Sequence, residues 1–253
     1  MKAVLLAAGY GTRLLPLTAD CPKTLLDVAG KPMIEWILEG LARVPGLDAV
    51  ALVTNDRFAP HHERWAVSYR GPLKPSVLND GTRTDATKLG AVGDLKLVKD
   101  RLKLDDDLLV VAGDNLFEFD PAKFAAFFRQ KNAAVVALKD MKGSPLLSQY
   151  GLVNLGPDQR MTGFEEKPKV PTSDLVSTCF YAFPRRELGL IDTYLASGGN
   201  PDAPGHYLRW LYRQTAVYGW VFQDAWLDIG DLASYREANE RFRASPRTGS
   251  GGR

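Results

Sequence analysis

The first half of the chain alternates short apolar runs with longer segments whose apolar residues recur at helical spacing. Continuous apolar runs bounded by turn residues are typical of strands that are buried on both faces. Ile34, Ile37, Leu38 and Leu41 lie at helical spacing behind Pro32, a residue that suits a first helical turn. In this half we expect strands at 2–7, 49–54, 75–78, 108–112 and 133–138, and helices at 33–44, 57–69, 85–98 and 121–131.

After about residue 140 the pattern changes to short apolar segments separated by turns rich in glycine and proline. We expect strands at 151–155, 161–165, 176–183 and 217–222, and helices at 185–196, 207–214 and 232–243. Strands joined by helices pair in parallel and are covered on both faces, whereas short strands joined by turns pair antiparallel. The predicted fold class is therefore α/β, with three α/β/α layers, a mixed and mainly parallel sheet, and a small antiparallel elaboration in the second half.

Composition and charge narrow the function classes. The 253 residues are 45% hydrophobic and 25% charged, which is typical of a globular protein, and 32 Lys and Arg against 30 Asp and Glu give a net charge of +2. Such a balance favours neither nucleic acid nor a membrane as partner. Cys21 and Cys179 cannot form a disulfide framework, and the apolar run 3–8 is too short for a signal peptide, so we expect a cytoplasmic protein. Residues 1–243 are interpreted as one domain, and the Gly-, Ser- and Arg-rich 244–253 as a tail that is disordered or of artificial origin.

The strongest chemical signal is the loop Ala7-Ala8-Gly9-Tyr10-Gly11-Thr12-Arg13-Leu14, with Pro22-Lys23 shortly after it. A Gly-rich loop at the carboxyl end of a parallel strand lets backbone N–H groups approach a phosphate, and ligands of open α/β sheets bind at that edge. Arg13 adds a planar fork of donors and Lys23 a compact charge. Leu14 stands where the dinucleotide fingerprint needs a third glycine, and no Gly-Lys-Ser/Thr closes the loop, which excludes both of those motifs. A strained turn with solvated Arg13 and Lys23 remains the alternative.

Polar residues elsewhere have simpler interpretations when each is taken alone. Asp114 ends a buried strand, where an aspartate is commonly a turn former or helix cap. The others are expected to have structural or surface roles: a helix N-cap at Asp231, a solvated loop at 105–107, and surface histidines at His61 and His62. The loop 199–206 is interpreted as an inert surface loop, with a position at the border of a sugar pocket as its alternative.

The stretch 5–26 closely resembles the G-x-G-T-R…P-K signature of the sugar-1-phosphate nucleotidylyltransferases, and is most similar to glucose-1-phosphate thymidylyltransferases and uridylyltransferases. The similarity continues in order through Lys31-Pro32-Met33-Ile34, Gly113-Asp114-Asn115, Tyr150-Gly151, Glu165-Glu166-Lys167-Pro168 and Trp226-Leu227-Asp228-Ile229-Gly230. It covers about residues 1–243 and implies a Rossmann-like nucleotidyltransferase core. The implied reaction transfers a nucleoside monophosphate from an NTP, with dTTP or UTP favoured, to a sugar 1-phosphate and releases pyrophosphate.

The resemblance also implies roles for individual residues. The catalytic set is Arg13 at the β- and γ-phosphates, Lys23 at the α-phosphate and Lys167 at the sugar phosphate, while Asp114 and Asp228 hold Mg²⁺. The implied nucleotide contacts are Ala8, Gly9, Gly11, Thr12, Asn79, Gly81 and Thr82, where the amide of Asn79 would read the base. The implied sugar contacts are Tyr150, Gly151, Glu166 and Thr178, and Cys179 stands where the family commonly has glycine.

Three other functions are left open by the residues. A glycosyltransferase that consumes NDP-sugars would need an Asp-x-Asp after a strand, whereas Gly113-Asp114-Asn115-Leu116 offers one aspartate. Cytidylyl transfer to another phosphomonoester such as phosphocholine is a second alternative. A nucleotide-sugar sensor, which is not an enzyme, would have little reason to keep Lys23, Asp114 and Asp228 together. The sequence leaves open whether the chain forms a homo-oligomer.

Overall fold

The computed structural model describes residues 1–244, so the predicted tail 244–253 lies outside the described residues apart from Ala244, which ends the last helix. The strands are β1 (Lys2–Leu6), β2 (Asp27–Val28), β3 (Lys31–Pro32), β4 (Ala49–Thr54), β5 (Ser76–Asn79), β6 (Leu108–Ala112), β7 (Asn115–Phe117), β8 (Ala134–Asp140), β9 (Gly151–Leu155), β10 (Met161–Glu166), β11 (Leu175–Phe183), β12 (Val217–Phe222) and β13 (Trp226–Asp228). The helices are α1 (Met33–Leu41), α2 (Ala59–Ser68), α3 (Ala91–Arg101), α4 (Pro121–Lys131), α5 (Gly189–Ala196), α6 (Pro204–Leu211) and α7 (Leu232–Ala244). Within residues 1–244, every helix is too short or too polar to cross a membrane.

A nine-stranded mixed sheet forms the centre of the protein, with the order β10-β9-β11-β6-β1-β4-β5 and with β8 and β12 joined through β11. The strands of the first half, β1, β4, β5 and β6, are parallel, whereas β11 runs antiparallel to β6, β8 and β9. The predicted α/β class and the antiparallel second half are therefore confirmed. Because β6, β1, β4 and β5 are parallel neighbours, the loops that follow them meet at one edge of the sheet.

Both faces of the sheet are buried, which explains the continuous apolar runs. In β1, Ala3 and Leu5 point to a core shared with α1, α4 and α7, while Val4 points to a second core shared with α3, α5 and α6. Side chains of a strand alternate between faces, so a run without polar positions fits only a strand that is covered by helices on both sides. This arrangement confirms the predicted three layers.

The helix predicted at 85–98 is broken in the structure. A short 3₁₀ turn covers Asp85–Thr87, and α3 begins at Ala91 after Gly90, whose φ of 79° lies in the region that favours glycine. A Cβ on Gly90 would lie 2.5 Å from the Cα of Asp202, and Pro201 accepts a hydrogen bond from the Val92 N–H. The loop predicted at 199–206 thus accepts hydrogen bonds from free N–H groups in the first turn of α3, and its last three residues belong to α6, which begins at Pro204.

A short ladder that the sequence did not predict lies beside the main sheet. Strands β7 and β13 pair antiparallel, so that Asp228 lies opposite Asn115. The two strands are three residues long and more than 100 positions apart, so no local pattern indicates their pairing. The ladder brings the motif around Asp228 to the strand end that carries Asp114.

Candidate active site

The glycine-rich loop after β1 is held by the neighbouring strand and by its own turn. The Asn55 amide, just past β4, donates to the carbonyl of Ala8 at 2.8 Å. Gly11 has a φ of 63°, and the Thr18 hydroxyl donates to its carbonyl at 2.8 Å. A Cβ on Gly9 would meet nothing within 4 Å, so this part of the loop is open. The loop therefore presents free backbone at the sheet edge where ligands of this fold class bind.

Lys23 reaches across the loop to Asp114 at the end of β6. Its Nζ lies 2.8 Å from Asp114 Oδ2, and the two side chains are 12% and 36% exposed. Burial disfavours the charged carboxylate, but the charge and hydrogen bond of Lys23 and the amide of Asn115 outweigh it, so the pKa of Asp114 lies below its ordinary value. Asp114 is therefore an ionised carboxylate that remains partly open to the cleft.

The second carboxylate is brought alongside by the β7–β13 ladder. The Asn115 Nδ2 donates to Asp114 Oδ1 at 2.7 Å and lies 3.5 Å from Asp228 Oδ1, while the Ile229 N–H donates to the carbonyl of Asp114 at 3.0 Å. Burial first, and then the negative charge of Asp114, raise the pKa of Asp228 to about 6. Two carboxylates with this mutual repulsion favour a positive charge between them.

Arg13 lies on the same side of the cleft as the acidic pair. A Cβ on Gly230 would lie 3.3 Å from a guanidinium nitrogen of Arg13, so the missing side chain leaves room for the guanidinium. The charge of Arg13 also acts on Asp228 and on Tyr150. The structure thus brings together the two N-terminal cations and the two aspartates that the sequence singled out.

The acidic pair fits a divalent cation that takes few protein ligands. In the described part of the chain, no group of three or more His, Cys, Asp and Glu side chains is arranged to hold a metal. Two carboxylates beside an open cleft suit a hard cation that completes its coordination with water and phosphate oxygens. The donor set is therefore suited to a cation that binds together with an anionic substrate.

A chain of contacts links the predicted sugar residues to this pair. The Lys167 N–H donates to the Tyr150 carbonyl at 3.1 Å. The backbone of Lys167 has a φ of 46°, and its side chain is exposed. The ring of Tyr150 meets the ring of Trp226 edge-on with centroids 5.3 Å apart. The Trp226 indole N–H in turn donates to Asn115 Oδ1 at 2.7 Å. Lys167 and Tyr150 are therefore neighbours of the carboxylate cleft.

Glu166 lies in a narrow space between two glycines. It pairs with Gly151 across β9 and β10, and a Cβ on Gly205 would lie 2.6 Å from its Oε2. The first turn of α6 therefore borders a predicted sugar contact. Thr178, by contrast, is 2% exposed and donates its hydroxyl to the Ala137 carbonyl at 3.0 Å, so its side chain lies between two strands.

The predicted base contacts lie at the same edge of the sheet, but their side chains are engaged with the protein. The Asn79 amide donates to Asp56 Oδ1 and accepts from the Gly81 N–H, each at 2.8 Å. Thr82 is buried and donates its hydroxyl to Asp80 at 2.7 Å. Gly81, with a φ of 81° and open space around its Cα, leaves its backbone accessible. Reading a base through Asn79 would require the amide to exchange these partners.

Asp231 and His62 were both predicted to have structural or surface roles. Asp231 Oδ1 accepts from the Ser234 N–H at 2.9 Å at the start of α7, which confirms the N-cap. His62 was predicted to lie at the surface, and that prediction was wrong. Its side chain is fully buried, because α2 packs this turn against the segment that carries Lys23 and Thr24.

Sequence reasoning also missed the roles of Asn115 and Trp226. Both stand inside motifs that were noticed, but neither is titratable, so nothing in their chemistry singled them out. Their value is positional, since the amide of Asn115 contacts both carboxylates and the indole of Trp226 contacts that amide.

Comparison with known proteins places this geometry in a wider context. Residues 2–245 match the model of the nucleotidyl transferase family. The chain is 29% identical over 242 residues to a protein of Sulfolobus acidocaldarius provisionally named a mannose-1-phosphate guanyltransferase, and 29% identical over 248 residues to the UTP–glucose-1-phosphate uridylyltransferase of Synechocystis. Each alignment covers 94% of this chain but 62% of the relative, so the chain spans less than two thirds of their length.

The fold recurs in solved structures. A crystal structure from Bacillus anthracis, provisionally named a glucose-1-phosphate thymidylyltransferase, superposes with a TM-score of 0.81 at 23% identity. The superposition covers 97% of this chain and 96% of the other. At this level of identity the likeness shows a common fold.

Proposed function

Because the chain belongs to the nucleotidyl transferase family, we propose that it transfers a nucleoside monophosphate from a nucleoside triphosphate to a sugar 1-phosphate and releases pyrophosphate. The observation that supports this most directly is the ion pair of Lys23 with Asp114 beside Asp228. Residues from three distant parts of the sequence meet there in one open cleft. A domain of residues 1–243 contains every residue used in this proposal.

The chemistry explains why such a cleft needs cations. A phosphate oxygen of the sugar 1-phosphate attacks the α-phosphorus, and the bond from the α-phosphorus to the oxygen that bridges to the β-phosphate breaks. The electron pair of that bond leaves with pyrophosphate. No general base is needed, since a phosphate monoester is largely dianionic at neutral pH. Two like unit charges 4 Å apart repel by about 4 kcal/mol at an effective dielectric constant of 20, so positioning and charge neutralisation supply most of the catalysis.

Each cation has a role that fits its place. Lys23, in the Lys23–Asp114 ion pair, is the residue we assign to the α-phosphate, where charge develops in the transition state. Arg13 binds the β- and γ-phosphates and eases the departure of pyrophosphate. Lys167, beside Tyr150, holds the phosphate of the sugar.

The open backbone of the N-terminal loop binds the nucleotide in this proposal, through Ala8, Gly9, Gly11 and Thr12, with Gly81 nearby at the same sheet edge. Asp114 and Asp228 would hold Mg²⁺, which supplies Lewis-acid neutralisation of phosphate oxygens when it is bound. The sugar hydroxyls are assigned to Glu166, with Tyr150 and Gly151 forming the neighbouring wall.

We propose UTP or dTTP as the donor, with GTP as the second candidate. The uridylyltransferase of Synechocystis supports UTP, and the guanyltransferase name of the Sulfolobus relative is the reason for GTP. The engaged amide of Asn79 means that backbone groups around Gly81 have to contribute to the choice of base.

The experiment is pyrophosphate release by the folded protein, with Mg²⁺, from all pairings of the common NTPs with glucose, mannose and glucosamine 1-phosphates. The proposal predicts release that requires both substrates, with the NDP-sugar identified by mass spectrometry. Folded protein that releases no pyrophosphate from any pair contradicts the proposal. CTP with phosphocholine, and an NDP-sugar with a sugar acceptor, are included as separate arms for the two alternative transferases.

A further inference from the structure

His62 is a buried histidine that the proposed chemistry does not use. It lies in the first turns of α2 and has no exposed surface. Its Nδ1 lies 3.1 Å from the carbonyl of Phe58, and its Nε2 lies 2.7 Å from the hydroxyl of Thr24. A buried imidazole is costly unless both ring nitrogens have partners, and here both have one.

The two partners fix the tautomer of this ring. The Phe58 carbonyl only accepts, so Nδ1 carries the hydrogen and donates it. Nε2 is then an acceptor, and the Thr24 hydroxyl donates to it. Burial lowers the pKa of His62 to about 4, so the ring is neutral at physiological pH and this pattern of donors and acceptors is stable.

Thr24 borders the proposed cleft, and its side chain faces the interior of the protein. It follows Lys23 directly in the short 3₁₀ turn Lys23–Leu25 and is 4% exposed. A Cβ on Gly113 would lie 2.8 Å from the Thr24 Cγ2, so the threonine packs against the backbone that carries Asp114. Thr24 therefore connects the backbone next to Lys23 with the backbone next to Asp114.

The segment 55–62, which we call the α2 platform, contacts the N-terminal loop at three further places. Asn55 donates to the Ala8 carbonyl, and Arg57 donates to the Ala19 carbonyl. The ring of Phe58 lies 6.5 Å from the ring of Tyr10. The first contact holds the start of the loop, and the His62–Thr24 bond holds its end. The α2 platform thus contacts the stretch 8–24 at four positions: Ala8, Tyr10, Ala19 and Thr24.

We propose that His62 is a positioning residue for nucleotidyl transfer, which acts through its hydrogen bond to Thr24 to hold Lys23 beside Asp114. This inference rests on the proposed function, because it assigns a task to the same lysine. The bond fixes the rotation of the 3₁₀ turn, and this rotation sets where the lysine side chain leaves the backbone. A displacement of about 1 Å at a reacting centre lowers the rate by up to about 100-fold. Loss of the His62–Thr24 hydrogen bond is therefore expected to lower turnover strongly.

The test compares Thr24→Val, which keeps the shape and removes the hydroxyl, with Thr24→Ser, which keeps the hydroxyl. Thr193→Val on α5, whose hydroxyl donates to the Gly189 carbonyl, is the matched control for loss of a hydroxyl. For each variant, kcat is measured with both substrates and the Kd of the NTP is measured without the sugar phosphate. We expect Thr24→Val to lower kcat about 10- to 100-fold and to change Kd less than about 3-fold. Thr24→Ser is expected to recover most of kcat.

The double variant Thr24→Val/His62→Leu separates positioning from folding. Thr24→Val leaves Nε2 of the buried histidine without a donor and lowers the melting temperature, whereas the double variant leaves neither polar group behind. We expect the double variant to recover thermal stability and to keep the low kcat. Recovery of kcat together with stability would overturn the positioning role, as would a Thr24→Val protein with wild-type kcat.

Failure of the inference can be told from failure of the proposed function. Wild-type turnover with an unaffected Thr24→Val variant removes the inference and leaves the function. Absence of wild-type turnover removes the function, and a crystal structure of Thr24→Val then decides separately whether the His62–Thr24 bond holds Lys23 beside Asp114. A Lys23 Nζ that stays within hydrogen-bonding distance of Asp114 in that variant would contradict it.

Discussion

The indole N–H of Trp226 donates to Oδ1 of Asn115 at 2.7 Å. Because an indole N–H only donates, this bond fixes the orientation of the amide and turns its Nδ2 toward Asp114 and Asp228. The same tryptophan ring contacts Tyr150 on the sugar side. A single side chain therefore connects the proposed sugar contacts to the orientation of the acidic pair.

Replacing this tryptophan tests the connection. Trp226→Phe keeps an aromatic ring for Tyr150 but removes the donor, so Asn115 loses the bond that fixes its amide. We expect kcat to fall about 3- to 10-fold, the range of one hydrogen bond of ordinary strength, while the fold is kept. Trp210→Phe, in the aromatic cluster of α6, is the control and is expected to leave steady-state kinetics unchanged. Equal kcat in Trp226→Phe and wild type would show that the amide needs no such support.

If Asp114 and Asp228 hold Mg²⁺, removing the charge of one of them changes how the rate depends on the Mg²⁺ concentration. Asp228→Asn keeps the shape of the side chain and removes its charge, so the affinity for a divalent cation should fall. We expect the Mg²⁺ concentration for half-maximal rate to rise about 10-fold or more, with a smaller loss of rate at saturating Mg²⁺. Asp231→Asn, which preserves the helix N-cap, is the matched control. A wild-type Mg²⁺ dependence in Asp228→Asn would remove Asp228 from the metal site.

Strands that have a continuous or alternating apolar pattern in the sequence were predicted well. Strands β4, β6, β9 and β12 occur where continuous or alternating apolar runs placed them. The short strands β7 and β13 were not predicted, because a three-residue strand is stabilised by its partner and by no pattern of its own. The break before α3 depends on Gly90 and on the backbone at Pro201, a contact across more than 100 positions.

The residues of the candidate site also differ in whether the sequence alone could predict them. Arg13 and Lys23 stood out in the sequence because they follow a Gly-rich loop at the end of a predicted strand, whereas Asp114 and Asp228 were paired by the resemblance to the sugar-1-phosphate nucleotidylyltransferases. The burial of His62 and the hydrogen bonds of the Asn79 side chain depend on which surfaces pack together in the fold. Local patterns of a single sequence do not contain that information. His62 lies on α2 and is buried because the segment that carries Thr24 packs over it.

The close approach of Gly205 to Glu166 predicts an effect on the sugar substrate. Gly205→Ala places a methyl group where the Glu166 carboxylate lies, since a Cβ there would be 2.6 Å from Oε2. The carboxylate has to move, so we expect KM for the sugar 1-phosphate to rise about 10-fold, with little change in KM for the NTP. Gly189→Ala, at a position with open space around it, is the control. A parallel rise of both KM values would contradict the assignment of Glu166 to the sugar.

The buried carboxyl of Asp94 makes the free energy of unfolding depend on pH. It is 4% exposed in α3, and burial, followed by the charge of Asp80, raises its pKa to about 8. The native state keeps this proton up to about pH 8, whereas the unfolded chain loses it near pH 4. The protonated carboxyl therefore supports folding fully below about pH 4, and that contribution is lost as pH rises toward 8.

Asp94→Asn removes this dependence. Urea unfolding at pH 5 and pH 8 should show wild type losing free energy of unfolding between the two, and Asp94→Asn should exceed wild type at pH 8 by about 2 kcal/mol or more. Asp20→Asn, at an exposed position, is the control and should follow wild type at both pH values. A free energy of unfolding that changes equally with pH in wild type and Asp94→Asn would assign the dependence to other groups.

The central claim is that Lys23 stabilises the charge that develops at the α-phosphorus, and Lys23→Ala tests it most directly. The kcat is measured with both substrates. The Kd of the NTP is measured by calorimetry with Mg²⁺ and without the sugar phosphate. We predict a loss of about 100- to 1,000-fold in kcat with a change of less than about 10-fold in Kd, because the lysine contributes more in the transition state than in the ground state. Equal losses in kcat and in NTP affinity, or a kcat like that of wild type, would contradict the claim.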